Sequence, residues 1–463
     1  MGEVTDAIVE KLRADLNGKV FIAGSDGYAE AVSIWNGSIA KQPGVVVRCA
    51  TSSDVAAALT CSASNQLEVS VRGGGHNYAG TALTSGGLMI DLTPMKSVTI
   101  DAAAKRARCG GGATWAQLDA AAQEHSLAVP GGFVSHTGVG GLTLGGGLGW
   151  LSRLAGLSSD NLVGAEVVTV DGNVRRVSAD ENPDLFWAIR GGGGNFGVVT
   201  EFEFALHDVG PLVHLGLFMV EPADGPALFR FARDYIKTLP NECGAFLAAM
   251  SAPPAPFVPE PLHFTPKFAL AIVGFQDADT HARLVAPILE SFTPVVQMVT
   301  PIPYVALQQM FDESAPWGMW GYEKAVYLDE LSDRAIDVIA TYLGRKQSPM
   351  SIVPMFALGG AYAAVADDAT AFGGRRNIAY VVNISGGTPD ANGFDAERQW
   401  VRDFWSELVP FAEGVGSYVN FIADDDQDRV RAAYGAKYER LALIKQQYDP
   451  TNVLHLNANI RPA

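Results

Sequence analysis

Cysteine is scarce in this chain: 463 residues hold four, Cys49, Cys61, Cys109 and Cys243, with no CxxC spacing and no histidine grouped with them. That spacing excludes a redox dithiol and a zinc site, so buried thiols and no metal centre are expected. Charge is sparse too, at 18% of residues, and 33 Lys and Arg stand against 50 Asp and Glu. A formal charge of -17 repels nucleic acid and anionic membrane surfaces. Any phosphate-bearing ligand is then expected on backbone amides rather than on a cationic patch. No uncharged run reaches the length of a membrane span, and Met1 to Asn17 lacks the apolar core of a signal peptide, so a cytoplasmic location is expected.

Glycine, by contrast, is plentiful at 50 residues and gathers in three places. The first is Arg72-Gly73-Gly74-Gly75-His76-Asn77-Tyr78-Ala79-Gly80, reached from the apolar strand Glu68 to Val71. Three successive glycines let backbone amides approach an anion that a Cβ would keep away, and His76 then stands beside that ligand. The second runs through Gly132, Gly138, Gly140, Gly141 and Gly145 to Gly149, and both loops are expected to grip one extended ligand. The third, Gly191 to Gly197, contains GxGxxG. A dinucleotide-binding Rossmann turn needs a strand before it and a helix after it. Here a helix-like Asp184 to Arg190 comes first and an alternating strand, Val198 to Phe204, comes second, which argues against that fold.

Beyond His207 the glycine loops give way to a Pro-rich connection, Ala252 to Pro261. Separated strands follow at 268–275, 351–358 and 379–384, with helices such as 396–408 between them. This texture predicts an α+β substrate module with a broad sheet. The last residues, Leu454 to Ile460, are loop-like and are expected to return to the first part of the chain.

Five ordered motifs carry a resemblance that spans nearly the whole chain. They are Arg72 to His76, Ser135-His136-Thr137-Gly138 through Gly147, Leu157 to Asn161, Arg190 to Gly197, and Tyr448-Asp449-Pro450-Thr451-Asn452 with Asn457-Ala458-Asn459. Together they resemble the berberine bridge enzyme-like FAD-linked oxidases of the vanillyl-alcohol oxidase and p-cresol methylhydroxylase superfamily. The resemblance implies a two-domain PCMH-type FAD-binding fold with an antiparallel-sheet substrate domain. The expected boundaries are 1–206 for FAD, 207–425 for substrate and 426–463 for a segment returning to the FAD domain.

It further implies FAD bonded covalently through His76, which as a neutral imidazole would attack the 8α-methyl of the isoalloxazine. Many relatives add a second bond through a cysteine; the matching position here is Val134, so a single bond is expected. The implied cofactor contacts are Arg72, Gly73, Gly74, Gly75, His76, Asn77, Gly80, Gly132, Ser135, Thr137, Gly138, Gly140, Gly141, Gly145, Asn161, Gly197, Val199, Asn457 and Asn459. Thr137 matches a position near the flavin that influences dioxygen access, and His136 is read as a ring that bonds its own loop.

The expected activity is dehydrogenation of a small organic alcohol, phenol or amine by hydride transfer to flavin N5, with dioxygen as acceptor. A same-fold dehydrogenase using another acceptor and a flavin-carrying binding protein are the alternatives. For a base, Ser417 to Phe421 resembles the family's Tyr-x-Asn-Tyr strand, with Phe421 where some members have the tyrosine. Tyr418 is then the candidate, with Asn420 on the same strand face positioning its ring. Tyr380, Tyr322 and Glu323 are further candidates. If Trp320 to Ala325 is a strand, Tyr322 and Lys324 share one face and Glu323 takes the other. Trp150 and Trp320 are read as possible walls for an aromatic substrate.

Overall fold

The computed structural model describes residues 2–412, 416–422 and 427–463. Its amino-terminal part contains two sheets. In the first, the parallel strands Val45–Arg48, Leu88–Asp91 and Val69–Arg72 lie side by side, with Lys19–Ile22 antiparallel at one edge. Val45, Val46 and Val47 are wholly buried, which is why this strand reads as an unbroken apolar run. The helix Ser52–Asn65 that follows starts at a reciprocal cap between Thr51 and Asp54.

The second sheet is antiparallel, ordered Val98–Asp101, Arg106–Gly110, Val198–Ala205, Leu162–Val168 and Val174–Ser178. Phe202 and Phe204, two residues apart on Val198–Ala205, enter one core with Trp115 and Val139. The helix Pro183–Ile189 precedes the third glycine run and a strand follows it, the inverse of a Rossmann turn.

The third sheet holds seven antiparallel strands in the order Val296–Pro303, Leu212–Val220, Pro266–Gly274, Cys243–Ser251, Val353–Ala357, Tyr380–Thr388 and Trp320–Leu328. The helices Gly225–Ile236, Asp333–Leu343 and Phe394–Leu408 pack on one face through Phe229, Ile336, Trp400 and Phe404. The other face packs on Leu148, Trp150 and Leu157, at and beyond the end of the second glycine segment. With both faces covered, Cys243–Ser251 and Tyr380–Thr388 are buried along their whole length.

Two local expectations change. The second glycine segment is not loop throughout, because Val139–Leu144 forms a short helix anchored by Val139, whose amide donates to the Ala113 carbonyl at 2.9 Å. The Tyr418 to Phe421 segment is not a strand. Phe421 N donates to the Tyr418 carbonyl at 2.9 Å, closing a single 3₁₀ turn over Val419–Phe421. All four cysteines are free and buried, and no helix among the described residues is long and apolar enough to cross a membrane.

Candidate active site

All three glycine runs and one face of the seven-stranded sheet converge on one cavity of about 580 Å³. The loop leaving Val69–Arg72 contributes Gly73, Gly74, Gly75, His76 and Asn77. The second run contributes Gly132, Val134, Thr137, Gly138, Gly140, Gly141 and Gly145. At Gly74 and Gly138 these two loops meet backbone to backbone. A Cβ on Gly74 would lie 2.3 Å from Gly138 N, and one on Gly138 would lie 2.4 Å from Gly74 N, so neither position tolerates a side chain. At Gly145 the neighbour is a side chain instead, since a Cβ there would fall 2.0 Å from Asn420 Oδ1.

His76 is held from several sides. Its Nε2 lies 2.8 Å from Nδ1 of His136, and its ring stacks on Trp35 with centroids 4.9 Å apart and planes 21° from parallel. Loss of water on burial, with His136 alongside, pushes its pKa down to about 3, so the imidazole is neutral. The loop is fixed against the sheet by Asn36, whose Nδ2 donates to the Tyr78 carbonyl at 2.7 Å and to the Gly321 carbonyl at 2.9 Å. Its Oδ1 accepts from Gly321 N at 3.1 Å. Gly321 is the second residue of the strand Trp320–Leu328, which carries Glu323 two residues later, so one amide side chain ties the histidine loop to the opposite wall.

That wall is made of side chains. Glu323 pairs with Ser385 in register, Asn383 follows two residues away on the same face, and all three line the cavity. Asn383 Nδ2 donates to Glu323 Oε2 at 2.8 Å, while Oε1 is buried without a hydrogen-bond partner. Burial pushes the Glu323 carboxyl up to about 8, with the Asn383 bond acting against the rise. Tyr78 brings its hydroxyl within 2.9 Å of Ser385 Oγ. Beside them Phe133, Phe246, Phe311, Phe356 and Phe421 form a continuous aromatic wall, with Phe133 4.7 Å from Phe356 and Phe246 5.4 Å from Phe311.

Tyr418 and Asn420 also reach the cavity, by a turn rather than by strand alternation. Asn420 Nδ2 folds back to donate to the Tyr418 hydroxyl at 2.9 Å and to the Leu142 carbonyl at 3.1 Å. The same hydroxyl accepts from Gly147 N at 2.8 Å. Burial outweighs these two bonds and pushes the phenol up to about 12.

Two other candidates point away. On Trp320–Leu328 and Tyr380–Thr388 the residues facing the helices are Tyr322, Val326, Tyr380 and Val382. Glu323, Asn383 and Ser385 alternate to the cavity side, so Tyr322 and Tyr380 are excluded from it by the two-residue period. Arg398 and Arg402 stack over the Tyr322 ring instead. Trp320 packs edge-on against Phe394 on that same helix side, and Trp150 packs on Phe133 behind the aromatic wall.

Five predicted cofactor contacts also lie outside the lining and brace it from behind. Arg72 donates to the Ala31 carbonyl at 2.8 Å, and Gly80 packs on Ile39. Ser135 bonds Asp312 through both its amide and its hydroxyl. Asn161 donates to the carbonyls of Ala155 and Leu157. Asn459 sits just past the lining, buried, its Oδ1 without a partner. Gly197, Val199 and Asn457 do line the cavity. The tail reaches it because Asn195, in the third glycine run, donates to the Ala458 carbonyl and accepts from Ile460 N. Beneath, the fully buried Lys445 Nζ bridges Asp449 at 2.7 Å, the Asn195 carbonyl at 2.7 Å and the Leu454 carbonyl at 3.0 Å.

The residues that sequence reasoning passed over are Trp35, Asn36, Asn383, Ser385, Phe133, Phe246, Phe311 and Phe356; His136 and Phe421 were named there, the one as a ring that bonds its own loop and the other where some relatives have a tyrosine. Phe133 carried a signal by lying within the second glycine segment; the others passed over meet only through sheet register and long-range packing. Among the described residues no group of three or more His, Cys, Asp or Glu could hold a metal ion.

The donor set suits FAD. Lys41 is the one lysine or arginine lining the cavity among the described residues, so a pyrophosphate there must rest on glycine amides. A Cβ at Gly141 or Gly194 would meet nothing within 4 Å, which leaves open space beside both backbones. Tyr434 Oη and Asn457 Oδ1 line the cavity and are buried without protein partners, as groups awaiting a polar ligand would be.

Residues 43–178 match the family described as FAD binding domain, and residues 417–461 the family described as berberine and berberine like. An FAD-linked oxidoreductase of Dictyostelium discoideum is 31% identical over 98% of this chain and 97% of its own. Among solved structures, 6-hydroxy-D-nicotine oxidase from Arthrobacter nicotinovorans superposes with a TM-score of 0.84 at 28% identity, covering 97% of this chain and 98% of that one. The glucooligosaccharide oxidase of Acremonium strictum, whose FAD is 6-S-cysteinyl and 8α-N1-histidyl, shares the fold with a TM-score of 0.87 at 23% identity, covering 99% of this chain and 100% of that one. An antiparallel sheet beside glycine-loop FAD elements, matched from end to end by such relatives, makes this chain a member of the berberine-like family of FAD-dependent oxidoreductases.

Proposed function

We propose that this protein is an oxidase whose FAD is bonded once, through His76, and which dehydrogenates a small organic alcohol, phenol or amine with dioxygen as acceptor and hydrogen peroxide as product. When bound, FAD supplies the acceptor for the substrate hydride and passes the electrons on. On this reading residues 1–206 hold FAD, 207–425 supply the substrate wall, and 426–463 return to close the cofactor site. The observation that carries the proposal is that Glu323, with an unpartnered Oε1, faces the same cavity as the neutral His76.

Glu323 then serves as the base for the substrate O–H or N–H. Its carboxyl lies near working pH, where a base is most effective, while the Tyr418 phenol is too weak an acid to be ionised there. Asn383 holds the carboxylate in place, and Tyr418 with Asn420 orients the Gly145 to Leu148 backbone. A single bond follows from Val134, which lines the cavity, and from the absence of any cysteine from its lining. The aromatic wall favours a compact apolar or aromatic substrate with one hydrogen-bonding group. A sugar chain would bury many hydroxyls there without partners, at about 1–3 kcal/mol each.

An anaerobic panel of aromatic alcohols, phenols and amines tests the proposal. Bleaching of the flavin by one of these classes, with yellow colour and hydrogen peroxide returning on admission of air, is expected. A flavin that none of them bleaches, or that stays bleached in air, contradicts it.

A further inference from the structure

We propose that His136 is a positioning residue for covalent flavin attachment, orienting the His76 imidazole and receiving its proton as the bond forms. This rests on the reading that His76 carries the FAD. The His76 Nε2 is 2.8 Å from His136 Nδ1, so one ring nitrogen of His76 is committed to that contact. With the proton on Nε2 and donated to His136, the lone pair of the other nitrogen, Nδ1, is available for attack.

Stacking on Trp35 and the edge of Trp317, 6.1 Å away, restrict the ring to this orientation. A carboxylate in place of His136 would draw His76 into its charged, non-nucleophilic form. An imidazole brings no fixed negative charge to do so, and burial keeps His76 uncharged.

His76 Nδ1 forms a bond to the 8α carbon, and one 8α C–H bond breaks with loss of its proton. The electron pair of that C–H bond passes through the isoalloxazine to dioxygen. The Nε2 proton of the now doubly substituted imidazole moves to His136 Nδ1. With the two protons released, dioxygen leaves as hydrogen peroxide.

Apoprotein from riboflavin-starved cells, mixed with FAD and quenched in acid over time, separates attachment from binding. The readout is the mass of the tryptic peptide containing His76, beside a fluorescence titration of non-covalent FAD affinity. For His136→Ala the maximal attachment rate at saturating FAD is expected to fall by at least about 100-fold, the lower range for a lost proton acceptor, with affinity little changed. His136→Gln, which keeps an acceptor for Nε2 but cannot carry the proton off, should fall between, and it decides the matter if the alanine variant does not fold. A wild-type maximal rate in either variant, or a deficit that saturating FAD removes, overturns the proposal. His76→Ala is the separate control: FAD still bonded covalently in that variant overturns the attachment reading itself.

Discussion

The two walls of the cavity are built from different materials. On one side Gly73, Gly74, Gly138, Gly140, Gly141 and Gly194 present backbone, with the His76 ring beside them. On the other, Glu323, Asn383 and Ser385 project from two adjacent strands of a sheet buried on both faces, Phe246 and Phe356 project from two more, and Phe311 and Phe421 come from the segments beside it. A backbone wall offers the same amides whatever the neighbouring sequence, which suits a constant cofactor. A side-chain wall changes chemistry with each substitution while the sheet persists, which suits a substrate particular to this protein. The comparison predicts that damage to the first wall removes flavin, whereas damage to the second leaves flavin in place and slows its reduction.

The largest effect is expected from adding one methyl group to the backbone wall. In Gly74→Ala the new Cβ meets the Gly138 backbone, which cannot withdraw as a flexible side chain could. Flavin content, read from absorbance after acid precipitation, should fall close to zero; normal content would mean that the two loops separate without loss of the site. Next is Asp449→Ala, which strands the wholly buried Lys445 ammonium. Breaking such a pair costs about 3–5 kcal/mol, to be checked by denaturant titration, and the tail that carries Asn457 should loosen, lowering flavin content as well.

Asn36→Ala tests the tie between the walls. It leaves the Tyr78 and Gly321 carbonyls and the Gly321 amide without their partner. A loss of about 1–3 kcal/mol is expected, with flavin reduction slowed because His76 and Glu323 no longer share one frame. Unchanged stability and rate would show that the walls are aligned by other contacts. The smallest kinetic effect belongs to Tyr418→Phe, whose hydroxyl only accepts bonds from Gly147 and Asn420 on this account. Its flavin reduction should slow by less than the about 100-fold of a lost base, and a larger fall would move the base to Tyr418.

The same contrast explains what the sequence disclosed. Close approach of one backbone to another permits only glycine, so the Gly73 to His76 and Gly138 to Gly147 runs were visible without any knowledge of the fold. Their direction was readable too, because the helix Pro183–Ile189 and the strand Val198–Ala205 stand in the wrong order for a Rossmann turn. The substrate wall left no such local trace. Glu323 and Asn383 are 60 positions apart and meet through strand register, which is a property of the sheet. Because Tyr380–Thr388 is buried on both faces, no polar alternation distinguishes its cavity side from its helix side. Tyr322 and Tyr380 were therefore as eligible as Glu323 until the helices showed which parity faces them. Arg72, Ser135 and Asn161 are polar residues inside the quoted motifs, yet they bond the loops from behind. The Tyr418 to Phe421 segment closes into a turn by a backbone hydrogen bond that its alternating pattern does not reveal.

The division of labour between the walls is tested most directly by Glu323→Gln, followed by two readings on one preparation: covalent flavin per chain and the rate of anaerobic flavin reduction by a substrate from the panel. In the unmodified protein the carboxylate form increases with pH, so that rate should climb about tenfold per unit below pH 8 and level off above it. In Glu323→Gln the account predicts undiminished covalent flavin, a rate lower by about 10²- to 10⁴-fold, and no such climb. A variant that reduces its flavin at the original rate, or that loses the flavin, would contradict it.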